Sequence, residues 1–131
     1  MKNSGFSILS KSICCLFMIA GLAACKKNNT GGMASVTAEV FNNGRPINYP
    51  TVYVHFGESN PPQNPTENYD LKLVGKHDNH VHVLGLRYGT YYMYAVATDT
   101  LLQKSVSGGV AVNIPWSERK KEMEISIPVK E

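Results

Sequence analysis

The residues with the types and spacing for chemistry fall into three groups. The thiol of Cys25 stands just past an apolar run, behind Leu22-Ala23-Ala24 and ahead of the polar Lys26-Lys27-Asn28-Asn29. A thiol is a strong nucleophile once ionised, and small residues at Ala23 and Ala24 leave the backbone there open to approach. The second group is His77, Asp78, His80 and His82, with His55 available from another strand. His80 and His82 are two apart, so on a strand both imidazoles point to one face and make half of a transition-metal site. The third group, Tyr88, Tyr91, Tyr92 and Tyr94, is dense enough to form a platform on which a ligand such as a carbohydrate stacks.

Each group has a plainer reading. If His80 and His82 share one face, Val81 and Val83 take the other and belong to the core, which leaves both histidines in solvent without a fixed third ligand. Tyr92 and Tyr94 share one parity and Tyr91 has the other, so one set packs inside. Glu122 and Glu124 share an outward face of the last apolar-alternating segment, but Lys120, Lys121 and Lys130 nearby make a solvated, edge-protecting surface the simpler meaning. Past Cys25 the chain has no Gly-x-Ser-x-Gly, no phosphate-binding loop and no second thiol.

Ahead of Cys25 lie Lys2 and Lys11 and then about twelve mostly apolar residues from Ile13, the length of a signal-peptide core and too short to span the ~30 Å hydrocarbon layer. With Leu22-Ala23-Ala24-Cys25 at its end, this segment resembles the signal of bacterial lipoproteins. The resemblance implies that Cys25 receives a diacylglycerol and fatty acyl chains such as palmitate, that residues 1–24 are removed, and that Cys25 becomes the first residue of the mature chain. An ordinary secretory cut fits less well after Ala24, where Leu22 is too bulky, although a cut after Cys25 satisfies the small-residue pattern. One acyl chain is a weak anchor, but two or three hold far longer. By resemblance to the enterobacterial sorting rule, Lys26 rather than Asp after Cys25 implies the outer membrane. The absence of an acidic cluster after the tether favours its periplasmic leaflet over the cell surface.

The mature chain would have a little over a hundred residues, enough for one compact domain. Lys2 and Lys11 leave with the signal while every acidic residue stays, so the overall +3 charge is partly a targeting charge. No basic stripe with interleaved aromatics is present, which removes support for nucleic-acid binding. Cys14 and Cys15 fall in the discarded apolar run, so the domain has no disulfide and depends on its core.

Asn28 to Ala34, with Gly31-Gly32, reads as a flexible tether, giving residues 25–34 as tether and 35–131 as the domain. Alternating segments follow: Val36 to Val40, Thr51 to Phe56, Tyr69 to Val74, Val81 and Val83 between His80 and His82, Thr90 to Thr98, Val106 to Ile114, and Lys121 to Val129. Asn42-Asn43-Gly44 and Asp78-Asn79 are turn signals, Pro115-Trp116-Ser117 breaks the chain, and residues 57–68, with Pro61, Pro62 and Pro65, read as a long exposed loop. About seven short strands at roughly 8 to 15 residue spacing predict an all-β chain folded as a single antiparallel sandwich.

Two stretches go beyond a generic sandwich. Val36-Thr37-Ala38-Glu39-Val40-Phe41-Asn42-Asn43-Gly44-Arg45-Pro46-Ile47, followed by Thr51-Val52-Tyr53-Val54, is similar to the opening of carboxypeptidase regulatory-like domains, which share the transthyretin-like sandwich. Asp78-Asn79, Val81, Val83, Gly85-Leu86, Gly89-Thr90-Tyr91 and Ala95 resemble the same family's later turn, Gly-Leu corner and Gly-x-Tyr step. The departures are Pro50, Tyr88 and the Pro-rich insert. The resemblance implies an accessory, non-catalytic domain that stabilises, spaces or docks larger proteins, here with an unidentified envelope protein as partner and the membrane held through the lipid. A related hydrolase branch ends in Tyr-Arg-Gly-Ser, whereas this chain ends Ile127-Pro128-Val129-Lys130-Glu131, so that activity is not implied. Intradiol dioxygenases, with a related sandwich, place His-x-His after the Gly-x-Tyr element; here it comes before, so their iron site is not implied either. The expectation is a non-enzymatic lipoprotein without cofactor. The alternatives are a carbohydrate-binding lipoprotein using exposed Tyr and loop 57–68, and a metal-binding protein using His80 and His82.

Overall fold

The alternation of apolar and polar residues becomes an alternation of buried and exposed side chains, and that single regularity builds the fold. The computed structural model of the protein describes residues 30–131. The segment expected to be a signal, 1–24, Cys25, and the expected tether as far as Asn29 lie outside the described residues. The strands are β1 (Thr30–Asn42), β2 (Arg45–Pro46), β3 (Thr51–Phe56), β4 (Leu71–Val74), β5 (His80–Leu86), β6 (Gly89–Asp99), β7 (Lys104–Ile114) and β8 (Glu122–Pro128). A 3₁₀ turn, Trp116–Glu118, joins β7 to β8. Among the described residues no helix is long and apolar enough to cross a membrane.

The strands form two four-stranded sheets, one with β1 paired to β2, β5 and β8, the other in the order β4-β3-β6-β7. Val36 has both Val83 and Met123 as register partners, so β5 and β8 flank β1 on opposite sides. The inner faces meet in one core: Val36, Ala38, Val40, Val83 and Ile127 from the first sheet, Val52, Val54, Tyr91, Met93 and Val106 from the second. Each fully buried aliphatic side chain of this kind stabilises the fold by about 1.5–3 kcal/mol. With no cysteine among the described residues, the core takes the place of a disulfide.

All seven expected strands are present, and three features differ. The pairing of β1 with β8 is parallel, so the sandwich is mixed rather than wholly antiparallel. β8 reaches the first sheet by crossing over from β7 through the 3₁₀ turn, and that crossover lets it run in the same direction as β1. The domain also starts earlier than Ser35. Thr30 and Ala34 both register with Leu86, and the extra residues between them form a bulge at Gly31 and Gly32. A Cβ on Gly32 would lie 2.0 Å from the Leu86 carbonyl oxygen, so these glycines let two backbones touch rather than making a loose tether. Finally, a two-residue β2 follows the Asn43-Gly44 turn, whose φ values of 50° and 78° are those of a type I′ hairpin.

The two long seams of the sandwich are unlike. On one, Ser107 and Lys130 exchange backbone bonds of 2.9 and 3.0 Å, which ties the chain just past β8 to β7 and closes that side. On the other, the edge strands β4 and β5 leave an open cleft.

Candidate functional site

The cleft has a volume of ≈ 480 Å³ and is lined by Lys72 and Val74 of β4, the 75–78 turn, and His80 and His82 of β5. The parity expected for β5 holds: Val81 and Val83 are buried, His82 is exposed and His80 half-buried. Both histidines therefore sit on the outer side of the first sheet. Their rings meet edge to face, with centroids 4.9 Å apart. His80 Nε2 is 4.0 Å from an Asp78 carboxylate oxygen.

His82 is further engaged across the sheet. Thr37, its register partner on β1, donates its hydroxyl proton to Glu122 Oε1 at 3.0 Å, and its Oγ1 lies 3.0 Å from His82 Nδ1. With its one proton committed to Glu122, Thr37 accepts from His82, which places a proton on Nδ1. The result is a polar ladder over three strands, His82 on β5, Thr37 on β1 and Glu122 on β8. Thr37 is 8% exposed, so the ladder shields its own centre. Among the described residues no group of three or more His, Cys, Asp or Glu side chains is placed to hold a metal ion. His77 is exposed on the 75–78 turn at the mouth of the cleft.

His55 does not join this cluster. It lies on β3 in the other sheet, is 4% exposed, and its Nε2 donates to the Pro65 carbonyl at 2.7 Å. That bond pins the Pro-rich loop against the outer face of the second sheet. Asp70 adds a second attachment, accepting from the Phe56 N–H at 2.7 Å.

The tyrosines divide as their parity requires. Tyr91 is fully buried, donates to the Arg87 carbonyl at 2.6 Å and meets Phe56 edge to face. Burial pushes its phenol up, opposed by the Arg87 carbonyl bond and charge. Tyr92 and Tyr94 face outward. Tyr92 is nevertheless 7% exposed, because its ring lies over the backbone of Gly109, where an added Cβ would sit 2.5 Å from the phenol oxygen. Tyr53 packs on Tyr69 with centroids 5.0 Å apart, and Lys72 Nζ sits 5.7 Å from the Tyr53 ring. The most exposed tyrosines, Tyr49, Tyr69 and Tyr88, stand on three separate connections.

Two constellations had no sequence motif. The first is buried Asp99 at the end of β6. Its carboxylate accepts from Asn42 Nδ2 at 3.0 Å, from the Leu101 and Leu102 N–H groups at 3.0 and 3.2 Å, and pairs with the Arg45 guanidinium. Asn42 and Arg45 belong to the hairpin of the other sheet, so Asp99 clasps one end of the sandwich. Burial alone would raise its carboxyl, but the bonds from Asn42, Leu102 and Leu101 and the Arg45 charge prevail and hold it below its ordinary 3.8. The second is at the opposite end, where Arg119 lies 3.9 Å over the ring of exposed Trp116 and Tyr88 meets that ring edge to face. The only sequence signals were an Asp at a strand end before a turn, and an aromatic within a Pro break.

Comparison with protein-family models finds no match for this chain, and comparison with curated proteins finds none.

Proposed function

We propose that this chain is a lipid-anchored lipoprotein of the bacterial outer membrane whose β-sandwich serves as a non-catalytic structural or protein-interaction module of the carboxypeptidase regulatory-like, transthyretin-like type. The observation that carries the reading is Leu22-Ala23-Ala24-Cys25 closing a short apolar run, with only Lys26 to Asn29 between that cysteine and the first residue of β1. A nucleophilic thiol at that junction is what lipid attachment requires. The non-catalytic part is supported by how the domain uses its polar side chains. His55 holds a loop, Asp99 clasps two sheets, and His82 with Thr37 and Glu122 bridges three strands. Each is committed to a structural bond, which is unlike a site with groups poised for a substrate.

Metabolic labelling with an alkynyl fatty acid tests the anchor. The wild-type protein takes up label, and Cys25→Ser does not, since it lacks the acceptor thiol. Equal labelling of both would place the lipid elsewhere and remove the basis of the proposal. The role as a module is tested by crosslinking in intact cells followed by purification of the membrane-held protein. A reproducible envelope protein in the crosslinked product is expected, and its consistent absence would count against an interaction role.

A further inference from the structure

We infer that the end of the sandwich from which β1 emerges is seated on the lipid bilayer, with Trp116 and Tyr88 at the headgroup level. The inference rests on the reading of Cys25 as the lipid-bearing residue. Four large apolar side chains are exposed at this end: Met33 (66%), Leu84 (68%), Tyr88 (43%) and Trp116 (59%). The backbone places them together. Thr30 and Ala34 register with Leu86, Gly89 registers with Ile114, and Ser35 N–H donates to the Lys121 carbonyl at 3.1 Å. The start of β1, the β5–β6 connection and the 3₁₀ turn thus lie at one end of the sandwich, where the Tyr88 and Trp116 rings are 4.8 Å apart.

The charge of that end matches phospholipid headgroups. Arg119 covers one face of Trp116 and donates to its carbonyl at 2.9 Å, which braces the ring at the tip. The Arg87 guanidinium lies beside Gly31, and Lys120 is exposed next to Arg119. Of the carboxylates at this end, Glu118 is paired with Lys121 at 3.3 Å, Glu122 keeps its charge while accepting from Thr37 at 3.0 Å, and Glu58 is exposed just past Gly57, whose N–H donates to the Thr90 carbonyl. Arg87, Arg119, Lys120 and Lys121 outnumber them. Trp and Tyr prefer the membrane interface, and Arg and Lys near an anionic leaflet add attraction that fades within a Debye length.

The length of the tether decides the occupant. Only Lys26 to Asn29 separate Cys25 from Thr30. Fully extended, that reach is at most about 18 Å. An eleven-residue strand such as β7 is about 37 Å long, so the tether is shorter than the domain and keeps this end at the headgroups. The other end, with Asp99 and the exposed Leu101 and Leu102, is a strand length away.

Trp116 is the chain's single tryptophan and reports its own surroundings. The mature protein, extracted in detergent, is reconstituted into vesicles of phosphatidylethanolamine and phosphatidylglycerol, some carrying bromine on the acyl chains. Its fluorescence is expected to shift to the blue, to be quenched by the brominated lipid and to be shielded from acrylamide. Replacing phosphatidylglycerol by phosphatidylcholine, or raising the salt, should weaken the quenching. A Met33→Ser, Leu84→Ser double variant should lose part of it while still floating with vesicles. Flotation with Trp116 fully open to acrylamide and untouched by brominated lipid overturns the seating and leaves the anchor standing. Failure to float, with no acyl chain on Cys25, overturns both. Shielding of Trp116 in native membranes but not in vesicles overturns the seating as well, by assigning the surface to a protein.

Discussion

Asp99 shows how far a single side chain can be from its sequence signal. It is 1% exposed, and it survives as an anion because two neighbouring N–H groups, Asn42 and Arg45 converge on it. A carboxyl held below 3.8 in the folded protein makes a contribution that is fully present above that value and is lost as the pH falls through the lower folded value. Asp99→Asn should therefore lower the melting temperature at neutral pH by several degrees, and flatten the loss of stability of the wild type below pH 3.8. Identical acid melting profiles for the two proteins would show that the clasp is not what acid breaks. On β5 the faces were legible from alternation alone. Val83→Asp buries an unpaired carboxylate and should cost on the order of 4 kcal/mol, while His82→Ala gives up one part-buried hydrogen bond of an exposed side chain and should cost about 1 kcal/mol. Equal losses in thermal melts would mean that the faces are reversed. Alternation says which side a residue faces, but not its partner. The Thr37 link from His82 to Glu122 joins three strands distant in sequence, and no local pattern encodes it.

Strands and turns were readable where local chemistry decides them. Val52, Val54 and Phe56, the Asn43-Gly44 turn and the alternation of β8 all fall where periodicity and turn residues place them. Direction and pairing were not readable, because the parallel match of β8 to β1 depends on where the crossover from β7 lands. Nor was the start of β1. Gly31-Gly32 has the composition of a linker, and only the approach of the Leu86 carbonyl makes it a bulge. Gly32→Ala separates the two readings. In a flexible tether it would leave stability unchanged, whereas a Cβ 2.0 Å from the Leu86 oxygen should shift the bulge and cost on the order of 2 kcal/mol. Chemical denaturation of the two proteins gives the answer directly, and superimposable curves would return residues 30–34 to the tether.

The molecule as a whole has a different structure at each end. A charged clasp at Asn42, Arg45 and Asp99 holds the two sheets at one end, and exposed aromatics with basic neighbours form the other, where the chain arrives from Cys25. An all-β sandwich was legible in the whole sequence because strand-length alternation and turn residues repeat along it. The seam chemistry was not, since the cleft of β4 and β5 and the closed seam of β7 with the end of β8 exist only once the sheets are stacked. The lipid anchor is the claim on which the proposed role depends, and it concerns one peptide. Mass spectrometry of the N-terminal peptide of the protein extracted from membranes tests it most directly. The expected peptide begins at Cys25 and has the mass of a diacylglyceryl thioether plus any N-linked acyl chain. A peptide that runs through Ala24 into Cys25, or one that begins at Lys26 or at an unmodified Cys25, would contradict it.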